Sequence, residues 1–250
     1  MIALYGKRAL VTGGSRGIGR AVALLLAEAG ADVAITFEKQ SVRAEAVVKN
    51  IQAMGHKAFA YRCDVSCEEE VRRTVRQSIL DLGKIDFLVN NAGIWDKAAI
   101  ETMTSEQWHK MLSVNLDGAF YFTREIVPHM KKRGQGRIVH ISSTAGQRGE
   151  PWHSHYAAAK GALISFTKSL AVELAKTGIL VNCVAPGWVE TEMSEKALKN
   201  QKNEILGAIP LGRPGNPEEI AGAVLFLVSE YASYVTGEIL NVNGGSVLCG

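Results

Sequence analysis

The sequence predicts an α/β protein: one parallel sheet, doubly wound, with helices on both faces. Three observations carry that expectation. Short apolar runs recur along the 250 residues, each followed by a segment of helical period. Most runs are continuously apolar rather than alternating, as strands buried on both faces must be. A glycine-rich turn joins the first run to the first helical segment.

The runs number seven: RALVTG (8–13), DVAITF (32–37), KAFAYRCDV (57–65), DFLVNNAG (86–93), RIVHISS (137–143), LVNCVAPG (180–187) and EILNVNGG (238–245). Seven strands with helical connections describe a single Rossmann-type domain over residues 1–250. Helix starts are marked where a capping side chain precedes Glu or Gln by three residues. Such boxes stand at Ser66–Glu69, Thr104–Gln107 and Asn216–Glu219, the last with Pro217 at the first helical position. Between Gly187 and Pro214 the chain is longer than a sheet connection needs. Residues 188–213 are therefore expected to form a substrate lid, against the alternative of a surface helical hairpin.

Composition narrows the function classes. Lys and Arg number 28 against 25 Asp and Glu, spread along the chain, so no dedicated nucleic-acid surface is expected. The one dense basic cluster, KKRGQGR (131–137), reads as a helix end followed by a turn. Cys63, Cys67, Cys183 and Cys249 have no zinc-site spacing and are too few for a disulfide framework; free thiols are expected. The amino terminus lacks the order of a signal peptide, and no apolar run reaches the roughly 20 residues of a membrane span. A cytoplasmic protein without a membrane partner is the expectation.

TGGSRGIG (12–19) sits directly after the first strand and opens a helix. Glycines at 13, 17 and 19 let the backbone turn sharply and approach a pyrophosphate, whose charge the helix amides stabilise. Farther on, Tyr156 is the one tyrosine of six with a lysine four residues downstream, Lys160. On a helix the two share a face, and a nearby ammonium favours the phenolate of a group that otherwise titrates near 10. The pair is expected to transfer a proton, with the tyrosine's acidity raised by the lysine. His153 and His155 flank it without a carboxylate cluster; pocket shaping or solvent exposure, not metal binding, is expected of them. No metal ligand set is evident.

The chain resembles the short-chain dehydrogenase/reductase family through TGGSRGIG, CDV (63–65), NNAG (90–93), SVNL (113–116), ISS (141–143), YAAAK (156–160) and APG (185–187). The resemblance covers essentially the whole chain. It implies a catalytic set of Asn115, Ser143, Tyr156 and Lys160: Ser143 holding the substrate oxygen, Tyr156 exchanging the proton, Lys160 also binding the nicotinamide ribose, and Asn115 holding a relay water. Ser142 competes with Ser143, which is preferred for its family spacing to Tyr156. The resemblance further implies cofactor contacts from Gly13, Ser15, Arg16, Gly17, Ile18 and Gly19 in the turn, and from Phe37 where NAD-specific members carry an acid. Asp64 and Val65 would flank adenine, and Asn91 and Gly93 the adenosine side. Pro186, Gly187, Val189 and Thr191 would reach the nicotinamide and diphosphate.

With Phe37 in the diol position and Arg16 free to pair with a 2′-phosphate, NADPH is expected over NAD. Glu38 is the opposing feature and Lys39 its offset. Within the family the motifs are most similar to those of bacterial 3-oxoacyl-acyl-carrier-protein reductases. That implies reduction of a β-keto thioester, docking of an acyl carrier protein near Arg133, and a homotetramer built through helices at 104–132 and 155–176 and the carboxyl-terminal segment. Thr177 stands where a second basic docking residue belongs, with Lys176 beside it. A dehydrogenase of a sugar, steroid or other secondary alcohol stays open beside it, with Trp95, Trp152, Trp188 and Met193 as candidate pocket residues.

Overall fold

The computed structural model describes residues 2–248, and Cys249 lies outside them. Seven parallel strands form one sheet: β1 (Arg8–Val11), β2 (Asp32–Phe37), β3 (Ala58–Arg62), β4 (Phe87–Asn90), β5 (Gly136–Ile141), β6 (Ile179–Pro186) and β7 (Ile239–Val242). Their order is β3-β2-β1-β4-β5-β6-β7. The chain reverses its direction of travel between β1 and β4, so a crevice opens there beyond the carboxyl ends of the strands.

Helices cover both faces because strand alternation divides the apolar side chains between two cores. Ala9, Val11, Val33, Ile35 and Val89 face a cluster closed by α1 (Gly17–Glu28), α2 (Ser41–Ala53) and α10 (Pro217–Val228). Leu10, Ala34, Leu88, Ile138 and Val181 face the other, closed by α3 (Glu68–Leu82), α5 (Gly118–Arg133) and α7 (Ser154–Leu174). β1 to β6 each contribute to both, which is why these runs carry no polar alternation, while β7 packs only on the first.

Two of the three helix boxes form. Thr104 accepts from the Gln107 amide at 3.2 Å at the start of α4 (Ser105–Leu112), while Gln107 accepts from the Thr104 amide at 2.9 Å. Glu219 accepts from the Asn216 amide at 2.8 Å at the start of α10. The Ser66 box does not form. Asp64 captures both the Ser66 amide (2.9 Å) and hydroxyl (2.7 Å), and α3 starts one residue later behind Cys67. KKRGQGR closes α5 as expected, with Gly134 left-handed at φ 66°.

Cys63, Cys67 and Cys183 are free thiols. Among the described residues no helix is long and apolar enough to cross a membrane.

Candidate active site

The glycine turn is stitched to the end of β4. Thr12 Oγ1 accepts from the Asn91 and Ala92 amides at 2.9 and 3.0 Å, and the Asn91 side-chain amide donates to the Thr12 and Gly13 carbonyls at 2.9 and 3.2 Å. Asn91, expected at the adenosine side, thus has its side-chain amide committed to shaping the turn. Gly13 has φ 66° and Gly17 φ 52°, the left-handed region that glycine enters without strain. A Cβ on Gly19 would stand 2.3 Å from the Gly13 carbonyl oxygen. Arg16 precedes α1 without capping it, and the first turn carries no acid, so its amides and positive helix end suit a pyrophosphate. Ser15 is buried below the turn and Ile18 packs on the first core. A turn this tight, ending in uncapped amides, fits a dinucleotide.

The adenosine side follows along the carboxyl edge of the sheet. Phe37 ends β2 half-buried, and the exposed Glu38 and Lys39 beyond it pair with each other at 3.1 Å. Val65 is buried, and a Cβ on Gly118 would touch it at 3.0 Å. Arg16, expected to be free for a 2′-phosphate, instead donates to Glu192 at 3.0 Å.

Around the predicted reaction centre, β4, β5, α7 and the turn between α4 and α5 converge. That turn, Ser113–Asp117, is π-helical, a local widening often found at functional sites. It buries Asn115, whose Oδ1 accepts from Ile94 N at 3.2 Å and whose Nδ2 donates to the Ile94 and Met111 carbonyls, both at 3.0 Å. The side chain is therefore occupied with holding the segment after β4. Gly93 leaves room here: a Cβ would meet Asn115 Oδ1 at 2.6 Å and Lys160 Nζ at 3.5 Å.

The two serines separate as strand alternation requires. Ser142 is buried and donates to the Lys160 carbonyl at 2.7 Å, a structural bond that pins β5 to α7. Ser143 accepts from Ala145 N at 3.1 Å, capping the short α6 (Thr144–Arg148), and it acts to lower the pKa of Tyr156.

Electrostatics at the pair differ from the expectation. Tyr156 keeps part of its surface open, yet so much protein surrounds it that burial pushes its pKa up to about 12; the Ser143 hydrogen bond opposes this and Glu150 reinforces it. Lys160 Nζ sits 5.8 Å from the centre of the Tyr156 ring and donates to the Ile141 carbonyl at 2.8 Å. An ammonium so directed does not offset the desolvation of the phenolate. Lys160 is itself buried, which lowers its pKa to about 8. His140, buried on β5, is held neutral by burial and then by the Lys160 charge, its pKa falling to about 3.

Beside this centre stands an aromatic cluster with a carboxylate. Trp95 stacks on His153 at 4.4 Å and meets Trp188 edge-on at 5.7 Å, and its indole donates to both Glu150 oxygens at 3.2 and 3.3 Å. Burial raises the Glu150 pKa. His153 and His155 are both buried, so the solvent-facing alternative fails. Trp152 and Met193 are exposed, Trp152 with Lys97 over its ring at 5.3 Å.

Beyond Pro186, the Gly187 amide donates to Val242 O at 3.1 Å, Val189 bridges to Gly215, and Ser194 Oγ accepts from Thr191 N at 3.1 Å. Residues 188–213 carry two short helices, α8 (Glu195–Asn200) and α9 (Lys202–Gly207). They border a cavity of about 700 Å³ whose other walls include Gly17, Arg20 and Pro217. Glu150, Glu192 and Ser194 were not singled out by sequence reasoning, for none belongs to a motif or a periodic pattern. Among the described residues no group of three His, Cys, Asp or Glu side chains converges as a metal site.

A fold of this topology with these residues at its carboxyl edge defines a nucleotide-dependent oxidoreductase, and comparison with known proteins agrees. A family model described as enoyl-(acyl carrier protein) reductase matches residues 13–246. The chain belongs to the short-chain dehydrogenase/reductase family, NAD(P)-dependent oxidoreductases that act on CH–OH and C=O groups. It is 43% identical over 249 residues to a 3-oxoacyl-[acyl-carrier-protein] reductase of Synechocystis, covering 99% of this chain and all of that one. It is 41% identical to the corresponding reductase FabG of Thermotoga maritima, over 98% of this chain and 99% of the relative. A short-chain dehydrogenase of Burkholderia cenocepacia, solved in complex with NADP, superposes with a TM-score of 0.92 at 38% identity, covering 97% and 98% of the two chains. A dehydrogenase/reductase of Sinorhizobium meliloti gives 0.93 at 38%, covering 98% and 97%.

Proposed function

We propose that the protein is an NADPH-dependent reductase of 3-oxoacyl thioesters, carried on acyl carrier protein or coenzyme A. The observation that carries this reading is the convergence of three of the expected catalytic side chains: Ser143 acts to lower the Tyr156 pKa, and the Lys160 ammonium sits 5.8 Å from the centre of the tyrosine ring. In this reading both hydroxyls address one ketone oxygen: Ser143 holds it as negative charge develops, and Tyr156 delivers the proton. A bound reduced nicotinamide supplies the hydride that completes the C–H bond. Lys160 contributes charge near the phenol and a donor for the nicotinamide ribose. Asn115 fixes the segment after β4 through its bonds to Ile94 and Met111. Gly13 to Gly19 hold the pyrophosphate; Phe37, Asp64, Val65, Asn91 and Gly93 line the adenosine side, and Pro186 to Thr191 the nicotinamide side. Residues 188–213 act as the substrate lid. Arg16 in the glycine turn, with Phe37 in place of an acid, favours NADPH, whose 2′-phosphate the guanidinium would hold. The names of the curated relatives favour the 3-oxoacyl thioester, and the family resemblance favours a homotetramer in the cytoplasm.

Arg133 fits a carrier-docking role less well, since its guanidinium is engaged by the buried Asp86 at 3.1 Å. One observation favours a second reading, an NAD-dependent dehydrogenase of a hydroxylated substrate. The wall of Trp95, His153 and Trp188 with the Glu150 carboxylate suits sugar stacking and hydroxyl binding, and Glu38 suits a ribose diol.

The deciding assay follows oxidation of NADPH, and separately NADH, with acetoacetyl-CoA, and with crotonyl-CoA as the enoyl control. Turnover of acetoacetyl-CoA alone, faster with NADPH, is expected, and Tyr156→Phe should lower kcat by about 10²–10⁴-fold. Turnover of crotonyl-CoA instead, or a Phe variant as fast as wild type, would overturn the mechanism; NADH preference would favour the second reading.

A further inference from the structure

Two arginines from different elements share one carboxylate at the edge of the nucleotide site. Arg16 lies in the glycine turn and Arg43 in the first turn of α2, just past the end of β2. Both direct Nη1 at Glu192, Arg16 to Oε2 at 3.0 Å and Arg43 to Oε1. Each guanidinium thus takes one oxygen of the same carboxylate. Among the described residues neither arginine has another ion pair. The Arg16 hydrogen bond, with Arg43 behind it, holds the Glu192 carboxyl below the usual carboxylate range. Glu192 comes from the 188–213 segment, directly after Thr191 and three residues before α8.

We propose that Glu192 is an internal competitor for the 2′-phosphate of NADPH, and that Glu192 and Arg43 together set the preference for the phosphorylated cofactor. The inference rests on the NADPH reading above. Two guanidiniums that can be bridged by one carboxylate can also be bridged by one phosphate. A phosphomonoester brings nearly twice the charge and three acceptor oxygens, so it is the better occupant. The carboxylate is easy to displace because all three side chains are about half exposed, where such pairs contribute little. NAD has no group that can make the exchange, and leaves Glu192 in place. Displacing Glu192 also releases the start of the lid, since its neighbour Thr191 and the first turn of α8 are continuous with it. The 2′-phosphate is thereby read by a residue on the substrate side of the cofactor.

The test is calorimetric titration of 2′,5′-ADP and of ADP, which lacks the 2′-phosphate, into wild type, Glu192→Gln and Arg43→Gln, with melting curves to verify folding. Removing the competing charge should tighten 2′,5′-ADP by about three- to tenfold and leave ADP within twofold. Arg43→Gln should weaken 2′,5′-ADP by about fivefold or more and leave ADP unchanged. If wild type prefers 2′,5′-ADP but Glu192→Gln binds it no more tightly, the competition is refuted while the NADPH reading stands. If Arg43→Gln leaves 2′,5′-ADP binding intact, Arg43 has no part in the preference and the inference fails. If wild type binds both nucleotides equally, the NADPH reading fails and the inference with it.

Discussion

Replacing Gly19 with alanine tests whether the glycine turn is built as described. The added methyl would stand 2.3 Å from Gly13 O, 2.9 Å from Gly13 C and 2.4 Å from Asn91 Nδ2. Ordinary contact needs about 3.5 Å, so turn and helix must part by about 1 Å. The obstacle is backbone, which cannot swing aside as a side-chain end could. Overpacking of this kind costs about 1–3 kcal/mol, and each Asn91 hydrogen bond lost as the turn moves adds about 1 kcal/mol. At roughly 2–4 °C per kcal/mol for a chain of this size, the melting temperature should fall by about 5–15 °C. NADPH affinity should fall more than tenfold, because the displaced amides are those that face the pyrophosphate. Thermal denaturation by circular dichroism and cofactor binding by fluorescence read both effects. Gly222→Ala is the control: it lies exposed on α10 with nothing within 4 Å of its Cβ position, and should gain about 0.5–1 kcal/mol. A Gly19→Ala protein that melts within 2 °C or so of wild type and binds NADPH normally would refute the tight turn.

Lys160 sets a pH dependence. Its pKa is about 8 in the fold against 10.5 ordinarily, so between those values the unfolded chain holds more protons and stability rises with pH; below pH 8 the contribution is constant. Relative to Lys160→Met, wild type should gain about 2 kcal/mol between pH 7 and pH 9.5 in urea denaturation, at about 1.4 kcal/mol per unit. Glu150→Gln removes a negative charge that raises the Tyr156 pKa, so the alkaline limb of kcat/KM should move to lower pH, and Trp95 emission should change as its indole partner changes. Asp86 is buried and accepts from Arg8 N at 2.9 Å while pairing with Lys84 and Arg133, both at 3.1 Å. Asp86→Ala should cost about 2–4 kcal/mol, seen as a lower urea midpoint, while Arg133→Ala, which leaves Lys84 on the carboxylate, should cost about 1 kcal/mol.

The strands were legible because burial on both faces forbids polar interruptions, and every apolar run contains one. Where run and strand differ, the difference lies mostly at the carboxyl end. KAFAYRCDV yields a strand ending at Arg62 and DFLVNNAG one ending at Asn90. The residues left over, Cys63 to Val65 and Asn91 to Gly93, are those that leave the sheet to border the crevice. A strand that stops early at this edge exposes backbone to a ligand, and the apolar pattern cannot mark where that happens. The Ser66 box failed for a related reason: Asp64, two residues back, is the better acceptor for the same amide and hydroxyl.

What spacing could not supply is direction and burial. Four residues on a helix bring Lys160 beside Tyr156, but the position of Nζ is set by the Ile141 carbonyl on a strand nineteen residues earlier. Burial then reverses the expected sign at the tyrosine. That reversal suits the proposed direction of reaction. A proton donor must carry its proton before the substrate arrives, and a phenol held near 12 is fully protonated at neutral pH, whereas a tyrosine tuned toward 7 would be half spent. Lys160, with a pKa of about 8, is still mostly cationic at neutral pH, but its Nζ is directed at the Ile141 carbonyl and does not offset the cost of the phenolate. Burial thus keeps the tyrosine protonated at neutral pH, the state from which a reduction begins.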